Sequence, residues 1–183
     1  MTQYIVKKTI VMVGMMGAGK TAVGRALAGK LGVAFLDSDA EIVEAANMTI
    51  PEIFERDGEA FFRAREREVI ERLLTTERCV LSTGGGAFLA RENRAAISER
   101  GVSVWLDGDL ELLWSRVKSK DTRPLLRTED PRATLEEIFN ARVPLYAKAD
   151  LRVKANADYA IEDMAERVLE ALLTRPDVLE KAK

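Results

Sequence analysis

Short apolar, β-rich runs occur at Ile10–Val13, Val33–Leu36, Cys79–Leu81, Val102–Leu106 and Leu151–Val153, and the stretches between them carry apolar residues at three- and four-residue spacing. Those intervals predict helices over Lys20–Leu31, Ile50–Leu74, Arg91–Arg100, Leu110–Lys118, Thr134–Tyr146 and Tyr159–Leu173. Strands alternating with helices predict an α/β fold of three layers, a five-stranded parallel sheet with helices on both faces. Thr49-Ile50-Pro51-Glu52 reads as a helix start, with Thr49 as N-cap and Glu52 closing a capping box. Between Ser119 and Arg132 the periodicity is lost, two prolines intervene and three arginines gather, which predicts a long mobile lid. The polar stretch Thr174–Lys183, interrupted by Pro176, reads as a frayed tail. No repeat or Gly/Ser linker divides the chain, so residues 1–183 are expected to form one domain.

Composition narrows the chemistry. The chain has 183 residues, 28 Lys+Arg against 30 Asp+Glu, no histidine and one cysteine. Lack of histidine excludes Ser-His-Asp and Cys-His relays and disfavours a zinc site, leaving Lys, Arg, Asp, Glu or the backbone to do the work. Cys79 has no partner for a disulfide and reads as a buried strand thiol in a reducing compartment. A net charge of −2 shows no basic excess for nucleic acid or a membrane surface. Lys7-Lys8 and the apolar run Thr9–Ala18 imitate a signal peptide, but Lys20 falls where a cleavage region should begin. The run is also short of the ~18 residues of a membrane helix, so the chain is expected to be cytoplasmic.

Strand Ile10–Val13 leads directly into Gly14-Met15-Met16-Gly17-Ala18-Gly19-Lys20-Thr21, which fits G-x-x-x-x-G-K-[ST] and continues as a helix. Such a loop folds into a nest of N–H donors at the positive end of a helix dipole. Residues Gly17, Ala18, Gly19, Lys20, Thr21 and Ala22 are therefore expected to bind ATP phosphates, with Lys20 on the β- and γ-phosphates and Thr21 on Mg²⁺. Met15-Met16 is read only as apolar packing. An Asn-Lys-x-Asp guanine-reading motif is missing, which disfavours a GTPase.

The strand through Val80-Leu81 ends Ser82-Thr83-Gly84-Gly85-Gly86 without the carboxylate many such proteins place there, whereas the strand before it ends Asp37-Ser38-Asp39. Carboxyl ends of parallel strands are where open α/β sheets bind ligands. Asp37 is expected to reach Mg²⁺, through water, and Asp39 the substrate hydroxyl; helix capping is the competing use of either. Gly84, Gly85 and Gly86 remove every side chain and read as a ligand floor. Arg63 and Arg142 are candidates for an acceptor carboxylate, although Glu59 and Glu66 could make Arg63 an ordinary helix ion pair.

The ordered set Gly14–Thr21, Asp37-Ser38-Asp39, Phe62-Arg63, Gly84-Gly85-Gly86, Arg123-Pro124-Leu125-Leu126 and Arg142-Val143-Pro144-Leu145-Tyr146 closely resembles the shikimate kinase family over residues 8 to 153. The resemblance implies a P-loop kinase fold and transfer of the ATP γ-phosphoryl group to the 3-hydroxyl of shikimate, in aromatic amino-acid biosynthesis. It implies that Lys20, Asp39 and Arg123 are catalytic, and that Arg63, Arg142 and the Gly85 backbone hold the carboxylate. Asp39 would hold ring hydroxyls, Arg116 would pack on adenine, and Arg123 would close with the lid over residues 119–132. The substrate segment is expected over about 38–66, in a monomer. Two positions depart from the family pattern: Asn47 replaces a glycine, and Asn156–Tyr159 lacks an adenine-side Arg or Gln. A gluconate or nucleoside monophosphate kinase, or a non-catalytic nucleotide switch, is the alternative.

Overall fold

A computed structural model describes residues 2–76, 78–118 and 126–183. Its elements in chain order are β1 (Tyr4–Val6), β2 (Thr9–Val13), α1 (Lys20–Leu31), β3 (Phe35–Asp37), α2 (Ser38–Ala46), α3 (Ile50–Asp57), α4 (Glu59–Thr76), β4 (Val80–Ser82), a 3-10 turn (Ala87–Leu89), α5 (Arg91–Arg100), β5 (Gly101–Asp107), α6 (Leu110–Val117), α7 (Pro131–Tyr146), β6 (Leu151–Lys154), α8 (Ile161–Leu172) and β7 (Leu179–Lys181).

Five strands form the expected parallel sheet, in the order β3-β4-β2-β5-β6. Every residue of central β2 is buried: α1 packs on it and on β3 and β4, α8 lies beside α1 and on β6, and α5 packs on β5. The chain leaves β2 through α1 to edge strand β3, then returns through α2, α3 and α4 to β4 between them. That crossover sets Asp37 opposite Ser82 and Ser82 opposite Met12. The residues that follow these three strands therefore emerge side by side at the carboxyl edge.

Several elements differ from expectation, each for a local reason. Ile50–Leu74 is two helices, because Gly58 at φ 87° interrupts a run whose apolar spacing is continuous across it. Thr49 does cap the first: its hydroxyl accepts from Glu52 N at 3.3 Å while Glu52 Oε1 accepts from Thr49 N. Helix α2 lies outside the helical intervals read from the spacing, but the capping use open to Asp37 is realised: it accepts from Asp39 N at 2.9 Å and Ala40 N at 3.3 Å. Asn47 holds φ 53° and ψ 38°, the left-handed turn that Asn tolerates.

The end of the chain is not a frayed tail. Leu179–Lys181 pairs antiparallel with Tyr4–Val6, and Val178 and Leu179 are buried. Polar Glu180 and Lys181 hid this strand, since a two-stranded ribbon buries few positions. Of the lid expected over 119–132, residues 119–125 lie outside the described residues, and Pro131 and Arg132 already belong to α7. Cys79 is buried as expected. Among the described residues, no helix is long and apolar enough to cross a membrane.

Candidate active site

The carboxyl edge of the sheet opens into a cleft of about 1340 Å³, larger than the roughly 300–1,000 Å³ of a single small-ligand pocket. One end is the loop between β2 and α1. Gly17 and Gly19 hold φ of 82° and 97°, and a side chain on Gly17 would meet Val117 Cγ1 at 2.8 Å. Lys20 Nζ donates to Gly14 O at 2.5 Å, inside the curl of the loop. Met15 and Met16 pack into the core, which accounts for their apolar character. Arg116 Nη1, on α6, donates to Gly17 O at 3.0 Å and lines the same end. Thr21 and Ala22 line the cleft as well.

At the other end, three consecutive glycines meet three side chains from different elements. A Cβ on Gly84 would lie 2.7 and 2.8 Å from the carboxylate oxygens of Asp39; on Gly85, 2.9 Å from Arg142 Nη1; on Gly86, 2.5 and 2.6 Å from Arg63 Nη2 and Nη1. Real Cβ atoms essentially never come so close, so any side chain on these glycines would push the three functional groups out of place. Asp39 comes from the first turn of α2, Arg63 from α4 and Arg142 from α7.

Asp39 Oδ1 is buried and has no hydrogen-bond partner among the described residues. A buried polar atom of this kind is costly unless a ligand completes it. Burial, and then the neighbouring Asp37, push the Asp39 carboxyl above the usual carboxylate range, while Lys20 and Arg63 oppose that rise.

Arg63 does form the helix ion pairs that its sequence suggests, at 3.7 Å to Glu59 and 3.0 Å to Glu66. Glu66, however, is 1% exposed, so this is no ordinary surface pair. Burial raises its carboxyl pKa, and the Arg63 charge opposes the rise. Glu66 was overlooked as a site residue, yet a signal was present: it sits on the apolar stripe of Phe62, Val69, Ile70 and Leu73. Tyr146, also overlooked, is fully buried and donates to Gly85 O at 2.6 Å.

Asp37 is both a helix cap and a lining residue of the cleft. Both backbone hydrogen bonds use Oδ1, which leaves Oδ2 to another partner. Asn156–Tyr159 contributes Tyr159 to the lining, beside Ile161 and Met164, with the Arg167 guanidinium 4.0 Å from its ring centre. Arg123 lies outside the described residues.

A phosphate loop after the central strand, facing an acceptor floor with one acid and two guanidinium groups, defines a P-loop kinase for a small anionic alcohol. Comparison with known proteins gives the family. Residues 16–173 match the family model described as shikimate kinase. Shikimate kinase from Ruegeria pomeroyi is 71% identical over 94% of this chain and 89% of its own. That from Cereibacter sphaeroides is 64% identical over 95% and 87%. The structure of shikimate kinase from Acinetobacter baumannii in complex with shikimate matches with a TM-score of 0.85 at 42% identity, covering 91% of this chain and 93% of that one. The chain belongs to the shikimate kinase family. It is an ATP-dependent phosphotransferase with an alcohol acceptor, the reaction that defines the family. A gluconokinase from Sinorhizobium meliloti, at a TM-score of 0.58 and 18% identity, shares the fold alone.

Proposed function

We propose that this cleft transfers the γ-phosphoryl group of ATP to the 3-hydroxyl of shikimate, with Lys20, Asp39 and Arg123 as catalytic residues. The observation that supports it is the matched triplet, with Asp39, Arg142 and Arg63 each against one of Gly84, Gly85 and Gly86. A ring with a carboxylate at one side and hydroxyls at the other suits that order. Arg63 and Arg142, with backbone N–H groups of the glycine floor, hold the carboxylate, and Asp39 faces the hydroxyls.

Asp39 accepts the proton of the 3-hydroxyl as its oxygen forms the new bond to phosphorus. The bond from the γ-phosphorus to its bridging oxygen breaks, and ADP departs. A carboxyl raised by burial is a stronger base than an exposed one, and its proton affinity lies nearer to that required. Lys20 and the loop N–H groups meet charge on the phosphate oxygens, and the Arg123 guanidinium adds its charge there. Arg116 and Tyr159 flank the adenine.

The donor set suits Mg²⁺, a hard cation that takes one or two protein oxygens and keeps its other places for water and phosphate. Thr21 and Asp37, through water, would hold it, and among the described residues no cluster of three His, Cys, Asp or Glu offers a protein cage instead. When bound, the ion supplies charge neutralisation of the phosphates. The balanced charge supports neither a nucleic-acid nor a membrane partner. We take the protein as a cytoplasmic monomer of one domain, its substrate segment near 38–66.

Phosphorus NMR of the product formed from MgATP and shikimate tests the assignment. A single new phosphomonoester at the 3-oxygen is expected, formed far more slowly with Asp39→Asn. A phosphate on another hydroxyl would contradict the placement of Asp39.

A further inference from the structure

Tyr146 lies where α7, the glycine floor and β5 meet. It follows Arg142 by one helical turn, and it is fully buried. Its hydroxyl donates to Gly85 O at 2.6 Å. Its ring stacks on Trp105, with centroids 6.3 Å apart and planes at 30°. Trp105 is itself buried on β5, so the ring has a fixed seat.

Peptide geometry gives this contact a consequence. In a trans peptide the carbonyl and the following N–H point in opposite directions. With Gly85 O held inward on the buried hydroxyl, the Gly86 N–H is turned outward, to the side on which Gly84, Gly85 and Gly86 line the cleft. No glycine in this triplet has a side chain whose packing could hold that peptide instead. The Arg142 guanidinium, 2.9 Å from the position of a Gly85 Cβ, lies against the same glycine.

We propose that Tyr146 is a positioning residue for the acceptor's carboxylate: its hydroxyl fixes the Gly85–Gly86 peptide, against which the Arg142 guanidinium lies, as part of one anion-binding surface. The inference rests on the shikimate reading above and assigns a group that touches no substrate itself. Loss of the hydroxyl leaves Gly85 O buried without its donor and frees the peptide to turn, while the ring keeps its place on Trp105.

The test is Tyr146→Phe, assayed with shikimate and with an analogue whose carboxylate is reduced to a hydroxymethyl group. The expected result is a rise of about tenfold in the KM for shikimate, from the loss of one buried hydrogen bond and its ordering. Turnover at saturation should fall less than about twofold, with the KM for MgATP unchanged. The analogue, already bound weakly by the wild type, should be bound no worse by the variant. An unchanged KM for shikimate would overturn the proposal, as would an equal loss for shikimate and the analogue, which is the signature of general loosening. Should Tyr146→Phe not fold, Trp105→Phe retains the hydroxyl on a looser seat and should show a smaller loss confined to shikimate; a loss shared with the analogue again overturns the proposal. Wild-type protein that does not bind shikimate would instead remove the substrate reading, so the two failures are distinct.

Discussion

At the phosphate end of the cleft, Gly17 and Gly19 hold φ of 82° and 97°, which L side chains rarely adopt, whereas Gly86 at the acceptor end has an ordinary φ of −90°. The first pair is glycine for conformation. Gly86 is glycine for space, because the Arg63 guanidinium occupies the place of its side chain. Assembly differs in the same way. The phosphate end is mainly a contiguous loop that uses its backbone, and the acceptor end draws side chains from α2, α4 and α7 to a floor after β4. Nucleotide binding is thus built by local backbone shape, and acceptor binding by the strand order that brings distant segments together.

Substitutions at the meeting of the two ends should have the largest effect. Lys20→Ala and Asp39→Asn are each expected to lower turnover by about 10²- to 10⁴-fold in steady-state assays, since one loses phosphate charge stabilisation and the other the base. Asp39→Asn should not unfold the protein. The folded carboxyl pKa lies above its ordinary value, so the ionised form opposes folding, and wild-type stability falls as pH rises from the unfolded pKa through the raised folded one. Thermal melts should show that fall in the wild type and a smaller one in Asp39→Asn, where the raised Glu66 carboxyl keeps its own share. An Asp39→Asn variant with full turnover would end the assignment.

Gly17→Ala and Gly86→Ala should then separate the ends. Gly17→Ala meets both strain at φ 82° and Val117 at 2.8 Å, so ATP affinity and Tm should fall while shikimate affinity holds. Gly86→Ala meets only the far end of the Arg63 side chain, so calorimetry should find shikimate weakened by about tenfold or more and Tm nearly kept. The same pattern from both would erase the distinction.

Arg63→Ala should raise the KM for shikimate with a lesser effect on turnover. It also strips Glu66 of its partner, which should cost about 1–3 kcal/mol, or some degrees of Tm. Adding Glu66→Gln should recover Tm but not shikimate affinity; recovery of both would make Arg63 merely structural. The smallest effect expected is on the pH profile. The acidic limb of turnover should follow a carboxylate above its usual range, and activity should be lost as pH falls through that value.

The contrast also explains what was legible in the chain. Strands, order of elements and the phosphate loop were readable because each is a local pattern, and the loop carries its glycines and Lys20 in eight consecutive positions. The separate acceptor residues were weak signals until taken as an ordered family set, since Arg63 alone fits an ion pair and Asp37 a helix cap. Glu66 and Tyr146 escaped for other reasons: the pairing of Glu66 with Arg63, three residues away, reads as a surface ion pair until its burial is known, and Tyr146 acts on Gly85, which is distant in sequence. The Gly58 break and the β1–β7 ribbon escaped because apolar spacing continues across the first and barely marks the second.

The central claim is that the acceptor end recognises shikimate and that phosphoryl transfer depends on it. Release of ADP from MgATP, measured with shikimate, gluconate or AMP as acceptor and with Lys20→Ala as blank, tests this most directly. The structure predicts stimulation by shikimate alone and none in the blank. Stimulation by gluconate or AMP instead, or turnover indifferent to shikimate in protein that binds ATP, would contradict it.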